Sequence, residues 1–160
     1  MFEANGNPNP APPPDQPQRR RWMGILARAS AGQIAARLQA APALPEHSRL
    51  RGPEVGLVMV RGRQGGDGGP FNLGEMTVTR CSVRLADGTL GHAYVAGRDQ
   101  CQAEMAALLD ACLQQPALRP ALLAAVVEPL AAMQAEAAAL VARKAAATKV
   151  EFFTMANMRS

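Results

Sequence analysis

Residues 74–104 read GEMTVTRCSVRLADGTLGHAYVAGRDQCQAE, and the order of the parts within this stretch decides the fold. Residues 76–85 and 90–95 are rich in β-branched side chains, and Asp87-Gly88 lies between them, a pair that tolerates the positive φ of a tight turn. This predicts an antiparallel hairpin. Asp99 then stands where a helix N-cap belongs, and Gln102, three residues on, completes the pattern of a capping box. Met105, Leu108, Leu109 and Cys112 recur at the i, i+3, i+4, i+7 spacing of one helical face, so the helix is expected to lie on the sheet.

Upstream, residues 55–60 read VGLVMV, apolar on both faces as in a short central strand, and GRQGGDGGP at 62–70 has the composition of a loop. Three strands in an antiparallel sheet are therefore expected. In 19–29, RRRWMGILARA, Trp22, Ile25, Leu26 and Ala29 share a helical face. Ser30 and Gln33 form a capping box for a second helix, which Ile34 and Leu38 continue and Pro42 and Pro45 end.

Downstream, Pro116 interrupts the helix on the sheet, Pro120 suits a new start, and Pro129 should kink or divide an alanine-rich stretch running to about Thr148. Leu130, Met133, Ala137, Leu140 and Val141 give that stretch an apolar seam. Residues 1–18, rich in Pro and Asn, lack the apolar side chains that offset ordering entropy and read as a disordered tail. VEFFTM at 150–155 is expected to dock on the domain or on a partner, and 156–160 form a short C-terminal tail. The fold class is α+β: an N-terminal helix pair, a small sheet with a central hairpin, then alanine-rich helices, in one domain over 19–155.

A chain of 160 residues can bury one core, and with only 4% aromatics that core must be built from Ala, Leu, Val and Met, which lets helices approach closely. The net charge of +4 is uneven: residues 19–63 hold nine arginines against Glu46 and Glu54, so an anionic partner would meet that half. Cys81, Cys101 and Cys112 show neither CxxC spacing nor a nearby histidine pair, which argues against a disulfide framework or a metal site and for a reducing, cytoplasmic setting. No apolar leader follows a basic start, and no run approaches the ~18 apolar residues of a membrane span.

Catalysis needs convergent acid, base or nucleophile groups, and the chain has two histidines and no HExxH, GxSxG or paired-carboxylate motif. His47 reads as a solvated loop residue. His92, in the second hairpin strand, is either structural or a hydrogen-bonding group at an interface or phosphate. Arg61 and Arg63 flank a glycine-rich loop whose N–H groups could cradle an anion, although the P-loop order is missing; a plain surface loop is the alternative. Arg80 and Arg84 share a strand face with Met76, Val78 and Ser82, which is either half-solvated or an arginine-lined ligand or partner surface, and Arg98 could add to it. Arg19, Arg20 and Arg21 read as a solvated basic run without the interleaved aromatics that would suit nucleic acid.

The blocks RWM (21–23), GLVMVRGRQGG (56–66), residues 74–104, ALLDACLQ (107–114) and VEFFTM (150–155) together resemble the PhnG family of the bacterial carbon-phosphorus lyase system, over about residues 19–155. The resemblance implies an accessory subunit of the enzyme that displaces adenine from MgATP with a phosphonate, giving ribose 1-phosphonate 5-triphosphate. It implies PhnI, PhnH, PhnJ and PhnL as partners, with MgATP the substrate of the complex and no cofactor held by this chain alone. It assigns no catalytic residue here. The alternative from the residues themselves is a stand-alone nucleotide- or phosphonate-binding module using the glycine-rich loop with Arg61 and Arg63; neither a membrane nor a nucleic acid is expected as partner.

Overall fold

The computed structural model describes residues 16–149, in the order α1 (Gln16–Arg28), α2 (Ala31–Leu38), β1 (His47–Arg63), β2 (Pro70–Leu85), β3 (Leu90–Ala96) and α3 (Gln100–Gln114). A last helical stretch follows: α4 (Arg119–Leu122), a π turn (Leu123–Val127) and α5 (Glu128–Ala147). The α+β architecture is the expected one. The 150–155 segment lies outside the described residues, as do 1–15, whereas 16–18, expected in the tail, already form the first turn of α1.

The three strands are antiparallel in the order β1-β2-β3. Along β2 the odd positions Cys81, Val83 and Leu85 point into the core with Ala93 and Val95 of β3, because side chains alternate across a strand. Helix α3 covers this face with Ala103, Ala107, Leu109 and Leu113, all fully buried. Its approach is close enough that a Cβ on Gly91 would collide with the Ala107 carbonyl oxygen and lie 2.7 Å from the Ala111 nitrogen. Gly91 is thus the strand position that admits the helix backbone.

Helix α1 adds Trp22, Ile25 and Leu26 to the same core, and Leu122, Val126, Val127 and Leu130 close its other end. Each such Leu, Ile or Val side chain contributes about 1.5–3 kcal/mol on burial. The Ser30 capping box forms as expected, with Gln33 N–H donating to Ser30 Oγ and Ser30 N–H to Gln33 Oε1. Asp99 caps α3 by accepting from Gln102 N–H, but the Gln102 side chain does not return to close a box. It donates instead to the carbonyls of Ala27 and Ala29, at 3.1 and 2.6 Å, because burial beside the end of α1 leaves those carbonyls without water.

Three further expectations are corrected. Residues 55–60 do not form a short central strand: β1 spans 17 residues and lies at the sheet edge, leaving Leu57 63% and Met59 52% exposed. The α5 seam is buried only at Leu130: Met133 is exposed but lies against α2, its Sδ accepting from Arg37 Nη2 at 3.3 Å, while Leu140 and Val141 face outward, since the helix runs on past the domain that would cover them. Arg119–Ala147 also has the length to cross a membrane and, in an 18-residue window with a mean hydropathy of 1.4, the composition, against the expectation that no run approaches a span. Alanines supply much of that hydropathy, and its first turns are built into the domain core. Pro129 divides the stretch as expected. A proline cannot donate to the carbonyl four residues back and its ring crowds it, and the wide turn just ahead, where Glu128 N–H reaches Leu123 O, takes up that clash.

Candidate functional site

Where β3 meets α1 and α3, a buried carboxylate gathers the elements. Asp110 sits at the centre of α3 with its side chain wholly buried. Arg19 donates to it twice, Nε to Oδ1 at 3.1 Å and Nη2 to Oδ2 at 2.7 Å. Trp22 Nε1 adds a bond to Oδ1 at 2.9 Å, and the backbone N–H of His92 donates to Oδ2 at 3.0 Å. One charge in a low-dielectric interior is thereby matched by a fork-shaped guanidinium and two further donors. Arg19 is thus not part of a solvated run, and Asp110, to which no role is expected, is the centre of the group; its signal in the sequence is a carboxylate set between Leu108-Leu109 and Ala111-Cys112-Leu113, which demands partners.

Beside this hub, a cleft of about 520 Å³ opens between α1 and β3, lined by Arg19, Arg20, Met23, His92 and Tyr94 among others. Among the described residues its polar side chains are a guanidinium already committed to Asp110, a second one at Arg20, the Gln16 carboxamide, an imidazole and a phenol. The His92 ring is oriented from behind by Ser82, whose Oγ lies 2.9 Å from Nδ1. Such a set can bind and position an anion. It holds no paired acid and base aimed at a common point.

The sheet brings three of the expected residues together. Arg80, Ser82 and Arg84 lie on the β2 face away from α3, opposite Tyr94, His92 and Leu90 of β3 and Glu54, Arg51 and Ser48 of β1. Arg80 is not free to meet a ligand: Nε donates to Glu54 Oε1 at 2.8 Å, and Tyr94 together with Glu54 holds the guanidinium above its ordinary pKa. Arg51 shares the same carboxylate at 3.1 Å. Arg84 is exposed, on a shallow groove of about 450 Å³ with His47 and Ser48.

Arg61 and Arg63 stand apart from this face. Seven residues of strand separate Arg61 from Glu54, about 23 Å at 3.3 Å per residue. Both are exposed beside the loop, where Gly65 and Gly66 adopt positive φ. Arg98 is exposed in the β3–α3 connection. No carboxylate among the described residues lies within salt-bridge distance of Arg61, Arg63, Arg84 or Arg98.

His47 is not the solvated loop residue expected. It begins β1, half-buried, with Nε2 3.4 Å from Glu104 Oε1, and Arg49 clasps the same carboxylate at 2.6 and 2.8 Å. Arg49 first, then His47, hold Glu104 below the usual carboxylate range against the opposing effect of burial. Of the cysteines, Cys81 and Cys112 are buried and Cys101 is exposed. Burial pushes the Cys112 thiol up to about 11.

Comparison with known proteins gives this geometry a family. The sequence profile of the family described as phosphonate metabolism protein PhnG matches residues 17–158. A relative from Rhizobium meliloti (strain 1021), alpha-D-ribose 1-methylphosphonate 5-triphosphate synthase subunit PhnG, is 46% identical over 138 residues, covering 86% of this chain and 88% of the relative. The matched range takes in the whole of the Asp110 hub, the three-stranded sheet and α5, so the chain belongs to the PhnG family of phosphonate metabolism proteins.

Proposed function

We propose that this chain is an accessory, complex-forming subunit of the phosphonate ribosyl-triphosphate synthase and acts in phosphonate catabolism in the cytoplasm. One observation carries the reading beyond family membership. Leu57, Met59, Leu73, Leu140 and Val141 are exposed on the far ends of β1 and β2 and on α5, an arrangement suited to docking on other subunits. The partners proposed are PhnI, PhnH, PhnJ and PhnL, with MgATP and a phosphonate as substrates of the assembly.

The chemistry gives such a subunit a physical task. Departure of adenine from MgATP leaves positive charge on the ribose while a dianionic phosphonate approaches a polyanionic nucleotide, so positioning and charge compensation dominate the barrier. The sheet face carrying Arg84 and His92, with the neighbouring Arg20, can supply positive charge beside a site built on another chain. Arg80 contributes less, since it and Arg51 share the Glu54 carboxylate.

Co-expression with the candidate subunits followed by an adenine-release assay tests this. The complex should release adenine in a phosphonate-dependent reaction, and the purified chain alone should not. Robust ATP turnover by the isolated chain would sink the proposal. A second reading, a stand-alone nucleotide or phosphonate binder, draws on the exposed Arg61 and Arg63 beside Gly65 and Gly66. Calorimetry of the isolated chain with MgATP separates the two, since micromolar binding lost in Arg61→Ala belongs only to the second.

A further inference from the structure

We propose that in the assembled protein β1 is completed by a β-strand of another subunit laid along its free edge, a strand apolar in its middle and acidic at the end that meets Arg61 and Arg63. This rests on the reading of the chain as part of a multi-subunit enzyme, and it begins from a mismatch between composition and position. Residues 55–60, VGLVMV, have the make-up of a strand buried on both faces, yet they lie at the outer edge of the sheet, hydrogen-bonded on one side only.

The mismatch is confined to one part of the sheet. Pairing of β2 with β3 stops at Val78↔Ala96, and beyond it β1 and β2 continue alone as a two-stranded arm. Leu57 and Met59 lie on one face of the arm, opposite Thr77 and Glu75, with Val55 just short of it opposite Thr79, while Val58 lies opposite Met76 on the other. Leu57, Met59 and Met76 are all exposed. Edge strands left open to solvent are ordinarily blunted by charge, proline, bulges or cover. Pro53 and the register shifts between Arg49 and Glu54 do this at the base of the arm, but no such device falls between Val55 and Val60. Alternate N–H and C=O groups there point outward, ready for a new strand.

Charge selects the occupant. Arg49 and Arg51 precede the apolar run and Arg61 and Arg63 follow it. Two copies of β1 paired antiparallel about the middle of the run would bring arginine-bearing ends together, and like charges across a strand pair are destabilising. Glu54 cannot relieve this, since it already serves Arg80 and Arg51. A different chain with an apolar centre and carboxylates at one end would instead meet Arg61 and Arg63, which have no acidic partner among the described residues, while Arg49 and Arg51 keep Glu104 and Glu54.

Amide hydrogen exchange on the co-expressed complex, compared with the isolated chain, tests the pairing. Alternate amides within 55–60 should gain protection of about 100-fold or more on assembly, because their outward N–H groups acquire partners. The double variant Leu57→Lys/Met59→Lys should lose that protection and the co-purifying subunit together while keeping the melting temperature of the isolated chain. Should the lysine variant misfold, Leu57→Thr/Met59→Thr, which retains strand propensity, makes the same comparison. A complex that forms without added protection across 55–60 overturns the strand pairing and leaves the subunit reading standing. Failure of the wild-type chain to join any subunit overturns both, and protection arising from a dimer of the isolated chain overturns the choice of partner.

Discussion

The backbone N–H of His92 donates to the buried carboxylate of Asp110 at 3.0 Å, so the edge strand of the sheet is fastened to the middle of the helix that covers it. Strand β3 has β2 on one side only, and its outer N–H groups need partners. Asp110 supplies one of them and simultaneously receives Arg19 and Trp22 from α1. At Leu90, Gln114 performs the complementary task, donating from Nε2 to the carbonyl at 2.7 Å.

Replacing Asp110 removes the acceptor common to four donor contacts. Asp110→Ala should destabilise the chain by about 3 kcal/mol in urea unfolding, since the Arg19 guanidinium, the Trp22 indole and the His92 amide are left without their acceptor. Arg19→Ala should be comparably costly, because it leaves the wholly buried Asp110 carboxylate without its counter-charge, and the two substitutions should combine to less than their sum. A strictly additive double variant would mean the pair is not coupled.

Gly91→Ala tests the close approach of β3 and α3. The added methyl meets backbone atoms of Ala107 and Ala111, which cannot swing aside as a flexible side chain would. A loss of at least about 2 kcal/mol is expected, measured by chemical unfolding, whereas Gly56→Ala, where the space is open, should change little.

Thiol chemistry should distinguish the three cysteines. In the native chain a disulfide reagent should label Cys101 quickly, and Cys81 and Cys112 only after denaturation, because both are buried and burial raises their thiols above the ordinary range. Rapid labelling of all three under native conditions would contradict the packing of β2 against α3.

Stability should fall in acid. Asp87, held down chiefly by the Thr89 N–H, Glu104, by the Arg49 guanidinium, and Glu128, by the Arg21 guanidinium, all have folded-state pKa values below their ordinary 3.8 or 4.5. A depressed carboxyl contributes stability that is complete above its unfolded value and is lost as pH falls through the folded one. Melting temperature should therefore hold down to about pH 5 and decline below it, and Glu104→Gln should flatten part of the decline.

Much of the fold was legible because local signals were strong and mutually consistent. Asp87-Gly88 between β-branched runs, Ser30 with Gln33, and Asp99 ahead of an apolar stripe each specify a structure within a few residues. What escaped was set by distance along the chain. Nothing local to Asp110 names Arg19, 91 positions away, as its partner, and nothing local to Arg80 reveals that Glu54 has claimed it. Arg80 and Arg84 share a face because strand alternation is a local rule, whereas the place of His92 opposite Ser82 is set by the register of β2 with β3, and Arg61 and Arg63 fall elsewhere because the length of β1 depends on its pairing with β2.

The π turn at Leu123–Val127 sets the bearing of everything after it. One surplus residue in a helix turns all following side chains by about 100° around the axis. The turn therefore acts as a fixed angular offset: Leu130 still reaches the core, Met133 still meets Arg37 of α2, and Leu140 and Val141 are aimed at whatever lies beside the domain. Deleting Ala124 would rotate that row of side chains away from its target without altering a single one of them, so aim and composition in α5 are separately heritable.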